Sequence, residues 1–153
     1  MLRSVSSVEM NKDIARAHRL YIDANIIIYF AEGDDERQSK SDAIFAHAQD
    51  KNIPVITSEI SIAECLRGVY VQGDGAAEEK YKSLFYDTGF FHLVPVGREI
   101  IEHSAKVGVS SRLKLIDSIH VASAISVGCD VFVTNDRGIK SIGGLKVVQL
   151  SEI

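Results

Sequence analysis

Leu20-Tyr21-Ile22-Asp23-Ala24-Asn25-Ile26-Ile27-Ile28-Tyr29-Phe30-Ala31, residues 20–31, is an apolar run broken only by Asp23 and Asn25. Residues 20–23 contain no polar alternation, which predicts a short strand buried on both faces. The apolar run from Asn25 to Ala31 predicts a helix directly after it. A second unit of this kind follows. Pro54–Thr57 reads as a strand, Ser58 as an N-cap, and Ser61–Tyr70 as a helix.

The remaining chain extends the alternation. Ser39–Lys51 is amphipathic, with Ile44, Phe45 and Ala48 on one side. Gln72–Gly75 is a turn. Ala76–Asp87 reads as a helix with Tyr81, Leu84 and Phe85 inward, and Phe91–Val96 as a third strand. Arg98–Val107 reads as a helix stopped by Gly108. Lys114–Val127 is a helix apolar almost all round (Leu115, Ile116, Ile119, Val121, Ala122, Ala124, Ile125), which predicts burial. Val131–Val133 and Leu145–Val148 complete five strands. Strands separated by helices imply βαβ units, hence an α/β fold in three layers, a parallel sheet with helices on both faces. Residues 1–17 lack a period and read as an N-terminal extension outside the core, with 18–153 as one domain.

Bulk properties narrow the function. The 153 residues are 46% hydrophobic and 25% charged, ordinary for a globular domain. No segment approaches the ~20 apolar residues that span a bilayer. The polar N-terminus lacks the apolar stretch of a signal peptide, so a cytoplasmic location is expected. Cys65 and Cys129 lie in apolar patterns without zinc-site spacing and read as buried, reduced thiols. The net charge of −4 argues against a sequence-independent DNA binder, which is normally basic.

In open parallel sheets, ligands bind beyond the C-terminal strand ends. Four acidic residues fall there or on the adjoining helices, each interrupting an apolar run: Asp23, Glu64, Asp117 and Asp136. Each alone has an ordinary role. Asp23 suits a helix cap, Glu64 a pair with Arg67 one turn on, Asp117 a helix N-terminus, and Asp136 a turn. Together at one end of one sheet, with too few cations to pair them, they point to a hard-cation site for Mg²⁺ or Mn²⁺. Such an ion activates water for phosphodiester hydrolysis. Arg67, Arg112, Lys114, Arg137 and Lys140 flank the acids, and Arg67, Lys114 and Arg137 are the candidates for holding RNA phosphates. His120, three residues after Asp117, reads as a core or supporting residue. His18, His47, His92 and His103 have no metal-ligand spacing.

The motif order hhhDAN, TSEISIAEhhRG, hhDSIHhASA, hhhTNDRG (h apolar) resembles a PIN domain, specifically the VapC-type toxin ribonucleases, over residues 19–150. The resemblance implies a PIN-like sheet, acidic positions at Asp23, Glu64, Asp117 and Asp136, and supporting positions at Asn25, Thr57 or Ser58, and Thr134. Asp23, Asp117 and Asp136 are then expected to hold the metal, and Glu64 to complete the shell or orient the attacking water. Ala24 stands where Ser or Thr is frequent, and Gly138 where a further acid sometimes follows, which supports the first metal better than a second. RNA as substrate, the toxin role and a cognate antitoxin also rest on the resemblance. An antitoxin arginine is expected in the acidic cleft, with the rest of that partner along residues 39–51 and 61–70. A homodimer is expected from the resemblance and from Tyr70, Tyr81, Phe85, Tyr86, Phe90 and Phe91 as an aromatic surface. The alternatives are a PIN-like RNA- or protein-binding module without turnover, and a phosphatase with Asp23 as nucleophile. The latter needs an Asp where Asn25 stands.

Overall fold

The computed structural model describes residues 9–153. Five parallel strands, β1 (Leu20–Ile22), β2 (Val55–Ser58), β3 (Phe91–Val94), β4 (Val131–Thr134) and β5 (Lys146–Gln149), form one sheet in the order β3-β2-β1-β4-β5. Leu20 is in register with Val55 and Val131, and Tyr21 with Ile56 and Phe132. The helices are α1 (Lys12–Ala15), α2 (Ala24–Glu32), α3 (Asp35–Asp50), α4 (Ile60–Gln72), α5 (Gly75–Tyr86), α6 (Arg98–Ser111) and α7 (Leu115–Ser126).

Strand alternation divides the core in two. Leu20, Ile22, Val55, Phe91, Val131 and Val133 face one side, packed against Ile14, Ile26, Ile27, Ile44, Phe45, Cys65, Val69 and Tyr81 of α1 to α5. Tyr21, Ile56, Val94 and Phe132 face the other, against Val107 of α6 and Val121 and Ala124 of α7. Helices therefore cover both faces, as the alternating elements predict. Each fully buried Leu, Ile or Val contributes ~1.5–3 kcal/mol, so β1, with every residue buried, anchors both layers.

Several expectations need correction. The segment expected outside the core contributes to it: Ile14, on the short helix α1 that Asn11 caps, is fully buried in the larger cluster. Residues 1–8 of that expected extension lie outside the described residues. The helix expected to stop at Gly108 continues to Ser111 and ends at Arg112, which takes the left-handed conformation with φ 54°. Gly108 serves packing instead: a Cβ there would lie 2.6 Å from Ser118 Oγ on α7. α7 is not buried all round, since Leu115 is 67% exposed and Ile116 and Ile125 are also exposed. The aromatic surface expected for a homodimer is mostly core. Tyr81, Phe85 and Phe91 are buried, and Phe90 and Phe45 meet Phe91 edge-to-face at 5.1 and 5.7 Å, leaving Tyr70 and Tyr86 outside. Cys65 and Cys129 are free and buried, and burial pushes both thiols up, as expected of unreactive thiols.

Candidate active site

The strand order reverses at β1. From β1 the chain moves outward through β2 to β3, then crosses over through α6 and α7 to β4 on the opposite side. In open parallel sheets such a reversal is where ligands bind, here beyond the C-terminal ends of β1 and β4. Asp23 lies there, one residue beyond β1. It is 5% exposed. Its Oδ1 accepts the Ala24 N–H at 2.8 Å, capping α2, and its Oδ2 accepts the Thr134 hydroxyl at 2.6 Å. The ordinary cap role and the site placement thus coincide in one side chain. Burial raises the Asp23 carboxyl above its usual range, and the Glu64 charge adds to this. His120 and the hydrogen bonds from Thr134 and Ala24 oppose the rise.

Asp136 stands past β4. Its N–H donates to Thr134 Oγ1 at 3.0 Å, and its Oδ1 accepts the Gly138 N–H at 2.8 Å, which forms the expected turn. Thr134 therefore bridges Asp23 and the Asp136 backbone. Asn25 does not reach a carboxylate. Its Oδ1 faces the Asn135 N–H at 3.4 Å, while Asn135 donates to the Tyr29 hydroxyl at 3.0 Å, so Asn25 and Tyr29 brace the loop that carries Asp136. Thr57 and Ser58 also act on backbone: Thr57 donates to Ile22 O at 2.8 Å, and Ser58 Oγ accepts the Ile60 N–H at 3.1 Å, while the N-cap of α4 is Glu59 rather than the expected Ser58.

Asp117 sits in the first turn of α7, half-buried. Its carboxyl is pushed up to about 6, first by partial burial, then by the charge of Asp136 and a hydrogen bond shared with that side chain, and by Asp23. His120 opposes. Glu64 projects from α4 with its side chain 35% exposed. Arg67 is not its partner. Glu64 Oε1 lies 2.5 Å from His120 Nε2, which is also 3.5 Å from Asp23 Oδ1. His120 is fully buried, and its Nδ1 meets the Tyr21 hydroxyl at 2.6 Å. Burial alone favours the neutral ring, but the Glu64 hydrogen bond and the charges of Asp23, Glu64 and Asp117 lift His120 above its ordinary value.

The four acids thus form two linked pairs, Asp23 with Glu64 through His120, and Asp117 with Asp136. Among the described residues no three metal-ligating side chains close into one ready shell, and no lysine or arginine is ion-paired with any of the four. The donors facing the crevice are carboxylate oxygens, since both His120 nitrogens are engaged, and oxygen donors in surplus over counter-charge suit a hard divalent cation. Arg67, Lys114 and Arg137 are exposed. The sequence patterns pointed to the acids but missed Tyr21 as a site residue. The available signal was a hydroxyl inside a strand buried on both faces.

The PIN-domain family model matches residues 20–145. The fold is similar to that of a chain in a toxin–antitoxin complex from Klebsiella pneumoniae, at 23% identity and TM-score 0.65, over 88% of this chain and 99% of that one. It is similar to a chain in VapBC2 from Rickettsia felis bound to a promoter DNA fragment, at 16% identity and TM-score 0.64, over 85% and 97%. It is also similar to VapC20 of Mycobacterium tuberculosis, described as a Sarcin-Ricin loop cleaving toxin, at 14% identity and TM-score 0.61, over 74% and 86%. No curated protein matches the chain by sequence.

Proposed function

We infer the function from one premise: this chain belongs to the PIN-domain family. On that premise it is a Mg²⁺- or Mn²⁺-dependent endoribonuclease and the toxin of a toxin–antitoxin pair. The observation that carries the reading is the gathering of Asp23, Glu64, Asp117 and Asp136 at the reversal of strand order, with His120 beside Asp23 and Glu64 but no lysine or arginine among the described residues ion-paired to any of the four. Burial and, next, the charge of Asp136 raise the Asp117 carboxyl, which supports the fit of a cation, because a divalent ion offsets the repulsion between the two carboxylates.

Asp23, Asp117 and Asp136 would hold the ion, with Glu64 completing the shell or orienting water. When bound, the ion supplies a Lewis acid for the phosphodiester and offsets the charge of the cleft. Glu64 Oε1 is engaged by His120, which leaves Oε2 to accept a proton from the attacking water. Attack forms one P–O bond and breaks another, and the departing nucleotide oxygen takes up a proton from solvent. Thr134 keeps the Asp23 carboxylate in one orientation. Arg67, Lys114 and Arg137 hold the phosphates on either side.

RNA as the substrate is supported by the Sarcin-Ricin loop cleavage named for the Mycobacterium neighbour. A cognate antitoxin is supported by the neighbours crystallised as toxin–antitoxin complexes. Its arginine would fork onto the acidic cleft, and an amphipathic segment would lie along α3 and α4. A homodimer belongs to the same reading, without the aromatic residues that are core. No helix among the described residues is long and apolar enough to cross a membrane.

The test is incubation with total RNA, with Mg²⁺, Mn²⁺ or EDTA, beside Asp23→Asn. Cleavage is expected with either metal and is expected to fall by at least ~100-fold in the variant. Undiminished cleavage in EDTA sinks the mechanism. RNA binding without cleavage favours the non-catalytic module, and turnover of p-nitrophenyl phosphate favours the phosphatase.

A further inference from the structure

The polar chain Tyr21–His120–Glu64 crosses the molecule. Tyr21 is on the central strand and faces the α6–α7 layer, His120 is on α7, and Glu64 is on α4 in the opposite layer. The three meet over the C-terminal edge of the sheet, with contacts of 2.6 and 2.5 Å. Tyr21 and His120 are both fully buried. The Tyr21 ring lies against Phe132 at 4.8 Å and 14°, and edge-on to His120 at 5.8 Å, so its direction is set by packing. Burying a hydroxyl and an imidazole there costs desolvation that an apolar pair avoids, so hydrophobic packing alone does not account for the pair.

What it serves follows from the partners. Nε2 carries a proton toward the Glu64 carboxylate in either charge state of the ring, since a carboxylate only accepts. The Tyr21 hydroxyl completes Nδ1, as donor to the neutral ring and acceptor from the charged one. Glu64 differs from its neighbours in this site. It is the more exposed member of its pair and sits on a long side chain, and among the described residues the one side chain bonded to it is His120. Asp23, by contrast, has three separate contacts.

We propose that His120, locked by the Tyr21 hydroxyl, is a positioning residue that holds the Glu64 carboxylate against Asp23 in the cleft. This rests on the reading of the cleft as the metal-dependent catalytic site. Removing the hydroxyl frees the imidazole to rotate, and Glu64 then swings toward solvent.

The experiment compares wild type, Tyr21→Phe, His120→Gln and His120→Leu. Each is read by kcat and KM on single-stranded RNA, by Mn²⁺ affinity in calorimetry, and by the imidazole nitrogen-bound proton signal in NMR. Tyr21→Phe keeps the ring and its stacking. It is expected to lower kcat and Mn²⁺ affinity each by ~10-fold, the scale of a lost partner behind a metal ligand, to leave KM within about twofold, and to lose the downfield proton signal. His120→Gln, which retains a donor toward Glu64, is expected to keep more of both than His120→Leu. Tyr21→Phe with wild-type kcat and wild-type Mn²⁺ affinity overturns the clamp, as does a variant whose melting point alone falls. A wild-type chain that neither binds Mn²⁺ nor cleaves RNA overturns the reading of the site, and the clamp's role falls with it.

Discussion

Thr134 donates its hydroxyl to the Asp23 carboxylate at 2.6 Å across the two strands where the chain order reverses, and the same oxygen accepts the Asp136 N–H at 3.0 Å. One hydroxyl therefore sets the two acids on either side of the crevice. Thr134→Val keeps the shape and removes both bonds. Asp23 is almost fully buried and loses a donor, so a stability loss of ~1–3 kcal/mol is expected. Metal-dependent cleavage is expected to fall roughly 10–100-fold. Thr134→Ser keeps the hydroxyl and is expected to remain near wild type. Urea titration with an RNA cleavage assay separates the cases, and equal losses in Ser and Val variants would remove the hydroxyl from the argument.

Asp117 gives a pH dependence with a definite sign. Its carboxyl is lifted from 3.8 to about 6, by partial burial first and by Asp136 next. Below pH 3.8 it is protonated folded or unfolded. As pH rises through about 6 the folded chain must ionise a group it holds reluctantly, and that stability is lost. Asp117→Asn cannot ionise. In EDTA, the melting point of Asp117→Asn minus that of wild type is expected to be near zero at the acid end, to grow positive through this window, and to level off above it. Mn²⁺ at neutral pH should raise the wild-type midpoint and leave the variant's nearly unmoved. A difference that stays flat with pH would dissociate Asp117 from the acidic pair.

The exposed bases make a different kind of prediction. Arg67, Lys114 and Arg137, which flank the acids in sequence, are exposed, with no ion-pair partner among the described residues. A phosphate contact on single-stranded RNA contributes ~0.7 to the slope of log affinity against log salt. In an Asp23→Asn background that prevents cleavage, Lys114→Ala and Arg137→Ala are each expected to reduce the slope by about this amount. A slope equal to the parent's means the residue is a solvated charge.

What the sequence made legible was whatever interrupts an apolar run. Asp23 and Asp136 stand out because the strands before them are continuous and buried, and a carboxylate at such a boundary has few places to point. Asp117 and Glu64 are visible for the same reason on helices. Tyr21 was not, because a tyrosine in a strand satisfies the hydrophobic pattern while hiding a polar end; His120 was legible as a core or supporting residue beside Asp117, but its partners Glu64 and Tyr21 were not. The neighbour that makes each polar end meaningful lies 99 residues away for Tyr21 and 56 for Glu64. Asn25 was misread in its target for a similar reason: local sequence shows the side chain but not the backbone of Asn135 that it faces. Gly108 was misread because glycine ends helices and also permits close packing, and only the position of Ser118 distinguishes the two.

That position yields the last prediction. Gly108 lies inside α6, where alanine is intrinsically better by ~1 kcal/mol. A Cβ there would meet Ser118 Oγ at 2.6 Å, and Ser118 is buried with its hydroxyl committed to Lys114 O at 2.9 Å, so it cannot turn away freely. Gly108→Ala alone is expected to destabilise, by ~1–3 kcal/mol of overpacking less the propensity gain. Ser118→Ala removes the obstructing atom. The next contacts, Ser118 Cβ at 3.5 Å and Leu113 O at 3.6 Å, are ordinary. In the Ser118→Ala background, Gly108→Ala should therefore become neutral or stabilising, so the same substitution changes sign. The cycle also bears on function. Ser118 adjoins Asp117 on α7, and overpacking the α6–α7 seam displaces the carboxylate that faces Asp136. Gly108→Ala alone is expected to lose cleavage activity beyond its loss of fold at the assay temperature, and the double variant to recover it. Denaturation of the four proteins with parallel RNA cleavage measures both. Additive effects, with no sign change, would show that α6 and α7 part easily at this point and that Gly108 does not set their spacing.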